Sequence, residues 1–569
     1  MTRRTVLILG GYGTFGGRLA RLLAQDDRVA VVVAGRSRDK AEAFCRTAMA
    51  RGALRGVALD RDGDVAAALA QIAPDIVVDA SGPFQVYGDD PYRVVKACLA
   101  QGCAYLDLAD GSAFVEGIAQ FDAAAQAKGV FVLSGASTFP ALSMAAARAL
   151  TPGWQRVRSI TMGIAPSPFA DLGRSVIEAI ASYAGKPVPR MRRQGIGLIA
   201  ARRFTVGVPG MLPLGSRRFT LADVPDLRLA AARWPGLEDI WAGAGTLPAV
   251  THRGLSALAW LVRLKLVRSL RALAPLFHWA STHVRWGAHR GGMFVAVTGD
   301  DPQGAPCERA WHLIAEGDDG PFVPAMAAAV LIGKLLDGAA PKPGARAAME
   351  ALTLEDFAPY FAQRRIRTAT WTKMPQERPL YRRLLSDAWP DLPEQIRVLH
   401  DGAKRARGVA EVERGTGWLA RLAAAIAGFP AAGKDVPVEV TFAARDGRET
   451  WTRNFAGAVF SSVQFEGHGR SAGLLRERFG ALTFGLALVI EDARLRLVVR
   501  RWSVLGIALP ACLAPVGETY ESVEDGRFRF HVEIGFPWIG PIVRYRGWLV
   551  PAHQNGAGAF ASDGEAQGS

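Results

Sequence analysis

Apolar residues along the first 150 positions follow two alternating periods. Short β-type runs lie at 6–9, 30–33, 56–59, 75–79, 105–108 and 130–133. Between them, apolar side chains recur at helical spacing over 15–23, 39–50, 65–72, 91–100 and 114–127. Strand–helix alternation at this spacing predicts βαβ units and a parallel sheet covered on both faces. Beyond 150 the pattern is mixed. A β-type run at 293–298, a polar turn at 299–304, a second strand at 309–314 and a helix over 323–336 suit an α+β domain that handles a substrate. After a helical stretch at 380–400, period-2 alternation dominates, as in RLRLVV at 494–499 and RFRFHVEI at 527–534. One wet and one buried face predicts an antiparallel sheet or partial barrel. The expected organisation is a doubly wound domain at 1–147, an α+β domain at 148–372, a β-rich domain at 376–553 and a disordered tail at 554–569.

The first strand runs into GGYGTFGG, in which Gly11, Gly13 and Gly16 fit G-x-G-x-x-G beside Gly10 and Gly17. The motif is weak alone; here it follows a strand and opens a helix. Helix N-termini present unpaired N–H groups and a partial positive charge, which suit a pyrophosphate. The glycines allow a tight turn and close backbone approach. This predicts a Rossmann-type domain with Gly10, Gly11, Tyr12, Gly13, Thr14, Phe15 and Gly16 at the cofactor. The second strand ends Gly35-Arg36-Ser37, without the Asp or Glu that would accept from the ribose hydroxyls of NAD. Arg36 can pair with a 2′-phosphate through its forked guanidinium, so NADP(H) is expected, with Ser37 beside it. Asp60, ending the third strand, is placed beside the adenine or serves as an exposed cap.

Ligands of such folds lie at the carboxyl ends of the strands. The fourth strand there gives Ser81, Gly82, Pro83 and Phe84, whose small residues and proline suit contact with a flat ring. Asp107 and Tyr105 are the titratable pair at the fifth strand end and hence the candidates for proton chemistry. A helix cap for Asp107 and a core position for Tyr105 are the plainer alternatives.

The five cysteines, Cys45, Cys98, Cys103, Cys307 and Cys512, are odd in number and scattered, which fits a reducing, cytoplasmic compartment and argues against a disulfide framework. The histidines form no H-E-x-x-H, and no metal site is expected. No signal peptide or membrane-spanning run is read.

The formal net charge of +15 is uneven. Residues 151–330 hold 21 Lys+Arg against 12 Asp+Glu, whereas residues 1–150 hold 16 against 15. Within 255–277, Leu255, Ala259, Val262, Leu266, Leu270, Leu273 and Phe277 form one helical stripe, with Arg263, Lys265, Arg268 and Arg271 opposite. Such a helix either lies on an anionic membrane surface or packs on a core with a solvated back. Arginines 190, 192, 193, 202, 203, 217 and 218 add a second basic region, read as a surface or the entrance for an acidic substrate. No recognition motif accompanies the charge, so nucleic acid is not expected as a partner. Trp418, Trp451, Trp502, Trp538 and Trp548 lie on or near the C-terminal strand patterns. A curved sheet with an aromatic inner face could hold an apolar ligand; an ordinary sheet core is the plainer reading.

GGYGTFG at 10–16, AGR at 34–36, SGPFQVYG at 81–88, KAC at 96–98 and GCAYLDLADG at 102–111 together resemble the saccharopine dehydrogenase-like NADP-binding family. The resemblance implies NADPH, a hydride and widely differing substrates, among them saccharopine, polyamine precursors and enoyl lipids. It departs at one point: many members carry Gly-Glu after Y-x-D, where this chain reads Asp110-Gly111. The last 190 or so residues, with LYRRLLSDAWPDLP and the closing VRYRGWL, resemble a bacterial domain of uncharacterised function. The resulting expectation is an NADPH-dependent oxidoreductase acting on a C=N or activated C=C of a small-molecule substrate. The alternative is a peripheral lipid-handling or scaffold protein in which NADP(H) is structural or sensing.

Overall fold

The computed structural model describes residues 3–191, 193–246 and 248–552; Arg192 and the expected tail at 554–569 lie outside them. These residues form two compact units. The first comprises Met1–Val208 and Pro213–Lys373; the second takes Pro209–Leu212 and the chain described from Met374 onward.

The first unit opens with β1 (Arg4–Leu9), β2 (Val29–Gly35), β3 (Ala53–Ala58), β4 (Ile76–Asp79), β5 (Ala104–Asp107) and β6 (Phe131–Ser134). All pair in parallel in the order β3-β2-β1-β4-β5-β6, with Gly344–Ala347 added beyond β6. This is the doubly wound Rossmann arrangement. The inner strands are buried on both faces, their side chains alternating between two cores, while the edge strand β3 is partly exposed. Val6 and Ile8 join one core with Leu19 and Leu23, while Leu7 and Leu9 join another with Leu69 and Val95. A second, mixed sheet follows. Arg156–Ala165 pairs in parallel with Asp239–Ala244 and antiparallel with Arg290–Asp300, which continues to Pro306–Glu316 and Ile366–Thr372.

The expected basic helix at 255–277 is not continuous. Ala249–Arg263 ends at Leu264; Lys265 has φ 60°, outside the helical region, and a separate helix spans Ala274–His283. Part of the stripe packs inward: Ala259, Val262 and Leu270 form a satellite core with Ala181 and Ala184, whereas Leu266 and Leu273 are exposed. Arg190 and Arg202 share Asp239, and Arg217 is buried, so the second basic region is partly internal.

The second unit goes beyond the antiparallel sheet or partial barrel read from the sequence. Ten antiparallel strands from Arg405–Arg414 to Gly540–Pro551 form a closed ring, completed by pairing of Leu482–Glu491 with Arg494–Val504. Closure leaves no free edge in the ring. The helical stretch at 380–400 divides into Leu380–Leu385, a 3₁₀ segment Ser386–Asp391 and Glu394–His400. Pro390 and Pro393 account for the division, since proline donates no N–H to a continuing helix. No helix among the described residues is long and apolar enough to cross a membrane.

Candidate active site

The turn after β1 is built for close approach. Gly10 has φ 68°, and a Cβ there would lie 2.8 Å from the Ala80 carbonyl oxygen. Helix α1 (Gly16–Leu23) begins so near the turn that a Cβ on Gly16 would sit 2.3 Å from the Gly10 carbonyl oxygen. The Gly13 N–H donates to Gly10 O at 2.8 Å, which fixes the loop below the helix N-terminus. The Tyr12 ring lies against Gly35, and its hydroxyl accepts from the Ser37 N–H at 3.2 Å. The loop and the end of β2 are thereby joined.

At that end, Ser37 caps the next helix by accepting from the Lys40 N–H, and Arg38 pairs with Glu42 at 2.7 Å. Arg36, directly after β2, is exposed. Asp60 is exposed and accepts from the Asp62 N–H at 3.1 Å, the geometry of a self-capped turn.

A cavity of about 220 Å³ opens at the carboxyl ends of β4, β5 and β6 and reaches the second sheet. Phe15, Gly82, Pro83 and Phe84 line it, as do Thr138, Ile164, Val176 and Met293. Among the described residues its charged lining is Asp110 and Asp171, with no Lys, Arg or His. Asp110 follows β5 and is half-buried, and its Oδ1 accepts from Gln85 Nε2 at 3.0 Å. Burial raises its carboxyl above the ordinary carboxylate range; the Gln85 hydrogen bond opposes this and the charge of Asp223 adds to it.

Of the residues expected from the sequence, the structure brings together the glycine turn, Tyr12, Thr14, Phe15 and residues 82–84. Ser81 turns away, donating through its hydroxyl to Asp79 and lying 3.1 Å from the Tyr87 hydroxyl. Asp107 and Tyr105 do not line the cavity. Asp107 is wholly buried, and its Oδ1 accepts from Gly135 N at 2.7 Å, Ala109 N at 3.0 Å and Ser134 Oγ at 3.0 Å. It ties the ends of β5 and β6 together, with burial pushing its carboxyl up to about 7. Tyr105 belongs to the core on the opposite face of the sheet, beside Leu69 and Cys98. Asp110 lay within the stretch already singled out, and its nearness to the strand end was the available signal. The contribution of the second sheet, through Ile164, Met293 and Leu313, had none, because it depends on packing between elements distant in sequence. No cluster of three or more metal-ligating side chains occurs among the described residues.

The turn and the β2 end can hold a dinucleotide: a helix N-terminus for a pyrophosphate, a guanidinium for a ribose phosphate, and a flat apolar floor at 82–84 for a ring. No curated protein sequence matches the chain. Among solved structures, saccharopine dehydrogenase (L-Glu forming) from Saccharomyces cerevisiae is similar at 14% identity, covering 64% of this chain and 99% of that one, with TM-score 0.45. A meso-dapdh variant with DAP, from Clostridium tetani E88, is similar at 13% identity over 63% of this chain and 99% of that one, with TM-score 0.30. Residues 392–549, within the barrel unit, match a domain of unknown function, DUF4166. Residues 6–133, which carry the glycine turn, Arg36 and the strand ends, match the saccharopine dehydrogenase NADP binding domain.

Proposed function

We propose that this protein is an NADP(H)-dependent oxidoreductase that transfers hydride to a C=N or activated C=C in an apolar substrate. The observation that carries the reading is the cavity at the strand ends, lined mainly by apolar side chains with the hydroxyls of Ser137, Thr138, Ser167 and Ser175, with Asp110 and Asp171 as its charged groups and no basic residue among the described lining residues. An amino-acid substrate calls for a guanidinium or ammonium to hold its carboxylate, whereas an apolar chain calls for this lining. NADP(H), when bound, supplies the hydride. The turn at 10–16 would hold its pyrophosphate, Arg36 its 2′-phosphate, and Gly82, Pro83 and Phe84 the face of its nicotinamide. Asp110, whose carboxyl is raised by burial, would deliver the proton that balances the hydride, a role for which Asp107 and Tyr105 are too enclosed. NADPH consumption with an apolar enoyl thioester, an apolar imine and an amino-acid imine tests this. Turnover confined to the apolar compounds supports the reading; turnover of the amino-acid imine alone would reject it.

A second feature supports contact with an anionic membrane surface, whether or not turnover occurs. No Asp or Glu lies between Asp239 and Asp300, while seven Arg and Lys do. In the same stretch Trp260, Leu266, Trp279 and Trp286 are 50%, 70%, 55% and 55% exposed. Exposed aromatic and aliphatic side chains among cations suit the headgroup boundary of a bilayer. Helix Gly173–Tyr183 connects this face with the cavity: Ala181 packs on Ala259 and Val262, while Val176 and Ala179 line the cavity. The protein should therefore float with vesicles containing phosphatidylglycerol, lose most of that binding as the joint Trp260, Trp279 and Trp286→Ser variant, and stay behind with pure phosphatidylcholine. Vesicle binding without NADPH consumption by any substrate would favour the lipid-handling reading over the enzyme.

A further inference from the structure

The ring of the second unit is hollow. Side chains alternate in and out along its strands, and the inward set is apolar and largely aromatic, including Trp451, Phe479, Phe484 and Phe530. They enclose a cavity of about 170 Å³. In a filled core such residues would be fully buried, yet Phe484, Leu497, Val499, Phe530 and Val532 are only half-buried although they face inward. Val516, which borders the cavity from the loop after Pro515, is exposed and marks where it meets solvent.

Thr519, Tyr520, Glu533 and Glu521, the last paired with His400 Nε2 at 2.6 Å, also border the cavity, and a connected group of polar side chains stands inside its wall. Glu477 Oε1 accepts from Ser462 Oγ at 2.7 Å, Gln464 Nε2 at 3.0 Å and Arg453 Nη2 at 3.3 Å, and Arg453 Nη1 also donates to Ser462 Oγ at 2.9 Å. The two charges are matched within the group. Two polar atoms on the cavity wall are left over: Gln464 Oε1 and the Tyr381 hydroxyl, on side chains 1% and 0% exposed, have no hydrogen-bond partner. A buried polar atom without a partner is costly, and a ligand that supplies one recovers that cost.

We propose that the barrel is a binding site for a small, neutral, amphipathic molecule, an alcohol or phenol whose hydroxyl donates to Gln464 Oε1 and whose apolar body fills the aromatic wall. The volume sets the size, since an apolar cavity of about 150 Å³ accepts benzene; the ligand lies between a phenol and an octyl alcohol. A carboxylate is disfavoured because Arg453, the cation among the described lining residues, is paired with Glu477, and the other charged lining residues, Glu521 and Glu533, are themselves acids. The site is independent of the coenzyme and needs no reaction.

Calorimetric titration of the full chain with 1-octanol and octanoate tests it. Saturable binding of 1-octanol is expected, with octanoate at least about tenfold weaker. Gln464→Leu should weaken 1-octanol by about 3- to 10-fold by removing the acceptor. Val499→Phe should abolish the same binding by filling the space, which also separates this cavity from the one in the first unit. If Val499→Phe fails to fold, Gln464→Leu decides. Absence of saturable heat, octanoate binding as tightly as 1-octanol, or unchanged affinity in Gln464→Leu would each overturn the proposal.

Discussion

Replacing Asp110 by Asn examines the proposed chemistry at its most exposed point. Hydride addition to C=N or C=C leaves a nitrogen or carbon that needs a proton, and Asp110 is one of two carboxyl groups at the cavity wall. The other, Asp171, is exposed and accepts from the Gly173 N–H at 3.2 Å. Burial raises the carboxyl of Asp110, so a larger fraction carries a proton near neutrality than for a surface aspartate. A positioned general acid contributes about 10²- to 10⁴-fold, or about 3–5 kcal/mol of barrier. Asn occupies the same volume and can keep a hydrogen bond with Gln85, so coenzyme affinity should be unchanged. The assay is steady-state NADPH consumption across pH. In the unaltered protein kcat should fall as pH rises through the raised pKa, because the proton donor is lost. In Asp110→Asn kcat should be about 10²-fold lower or less and should not vary over that range. Unaltered kcat, or an unaltered pH profile in the variant, would refute the assignment.

Other expectations follow from single groups. Arg36→Ala should weaken NADPH by about 10- to 100-fold, the loss of charge-assisted hydrogen bonds worth about 1.5–3 kcal/mol, and leave NADH unchanged by calorimetry. Gly16→Ala places a Cβ against the Gly10 carbonyl oxygen at 2.3 Å, so the loop must shift, and NADPH affinity should drop by about tenfold or more with the fold retained by circular dichroism. Asp226 is wholly buried, donates no charge to a partner, accepts from Ser143 Oγ, and is raised by burial to about 7. The folded chain then keeps a proton that the unfolded chain has lost, so stability falls between about pH 4 and pH 7, by up to about 4 kcal/mol for this group. Asp226→Asn should remove that slope and melt higher than the unaltered protein at pH 8 in scanning calorimetry, whereas an unchanged difference between pH 5 and pH 8 would reject the account.

The parallel sheet was legible because its inner strands are buried on both faces and must be largely apolar, as in 76–79. The glycine turn was legible because few other residues tolerate the φ of Gly10 or the contact at Gly16. Closure of the barrel was not, since period-2 alternation is the same in an open sheet and a ring; the pairing of the strand at Leu482–Glu491 with Arg494–Val504 decides it. The aromatic reading of the C-terminal region was partly informative. Trp451 lines the barrel cavity, whereas Trp418 and Trp538 are exposed. The cavity of the first unit drew on Ile164, Val176 and Met293, whose spacing says only that they are buried. The choice between Asp107 and Asp110 turned on direction: alternation along β5 and the turn beyond it sends one carboxyl into the sheet and the other to the cavity wall.

The central claim is that coenzyme and apolar cavity form one site. A crystal structure of the protein soaked with NADP⁺ measures this directly. The account predicts the pyrophosphate on the amides at the start of α1, the 2′-phosphate on Arg36, and the nicotinamide against Pro83 and Thr138 with its open face toward Met293. A nicotinamide ring outside the cavity, or an adenosine end without contact to Arg36, would contradict it.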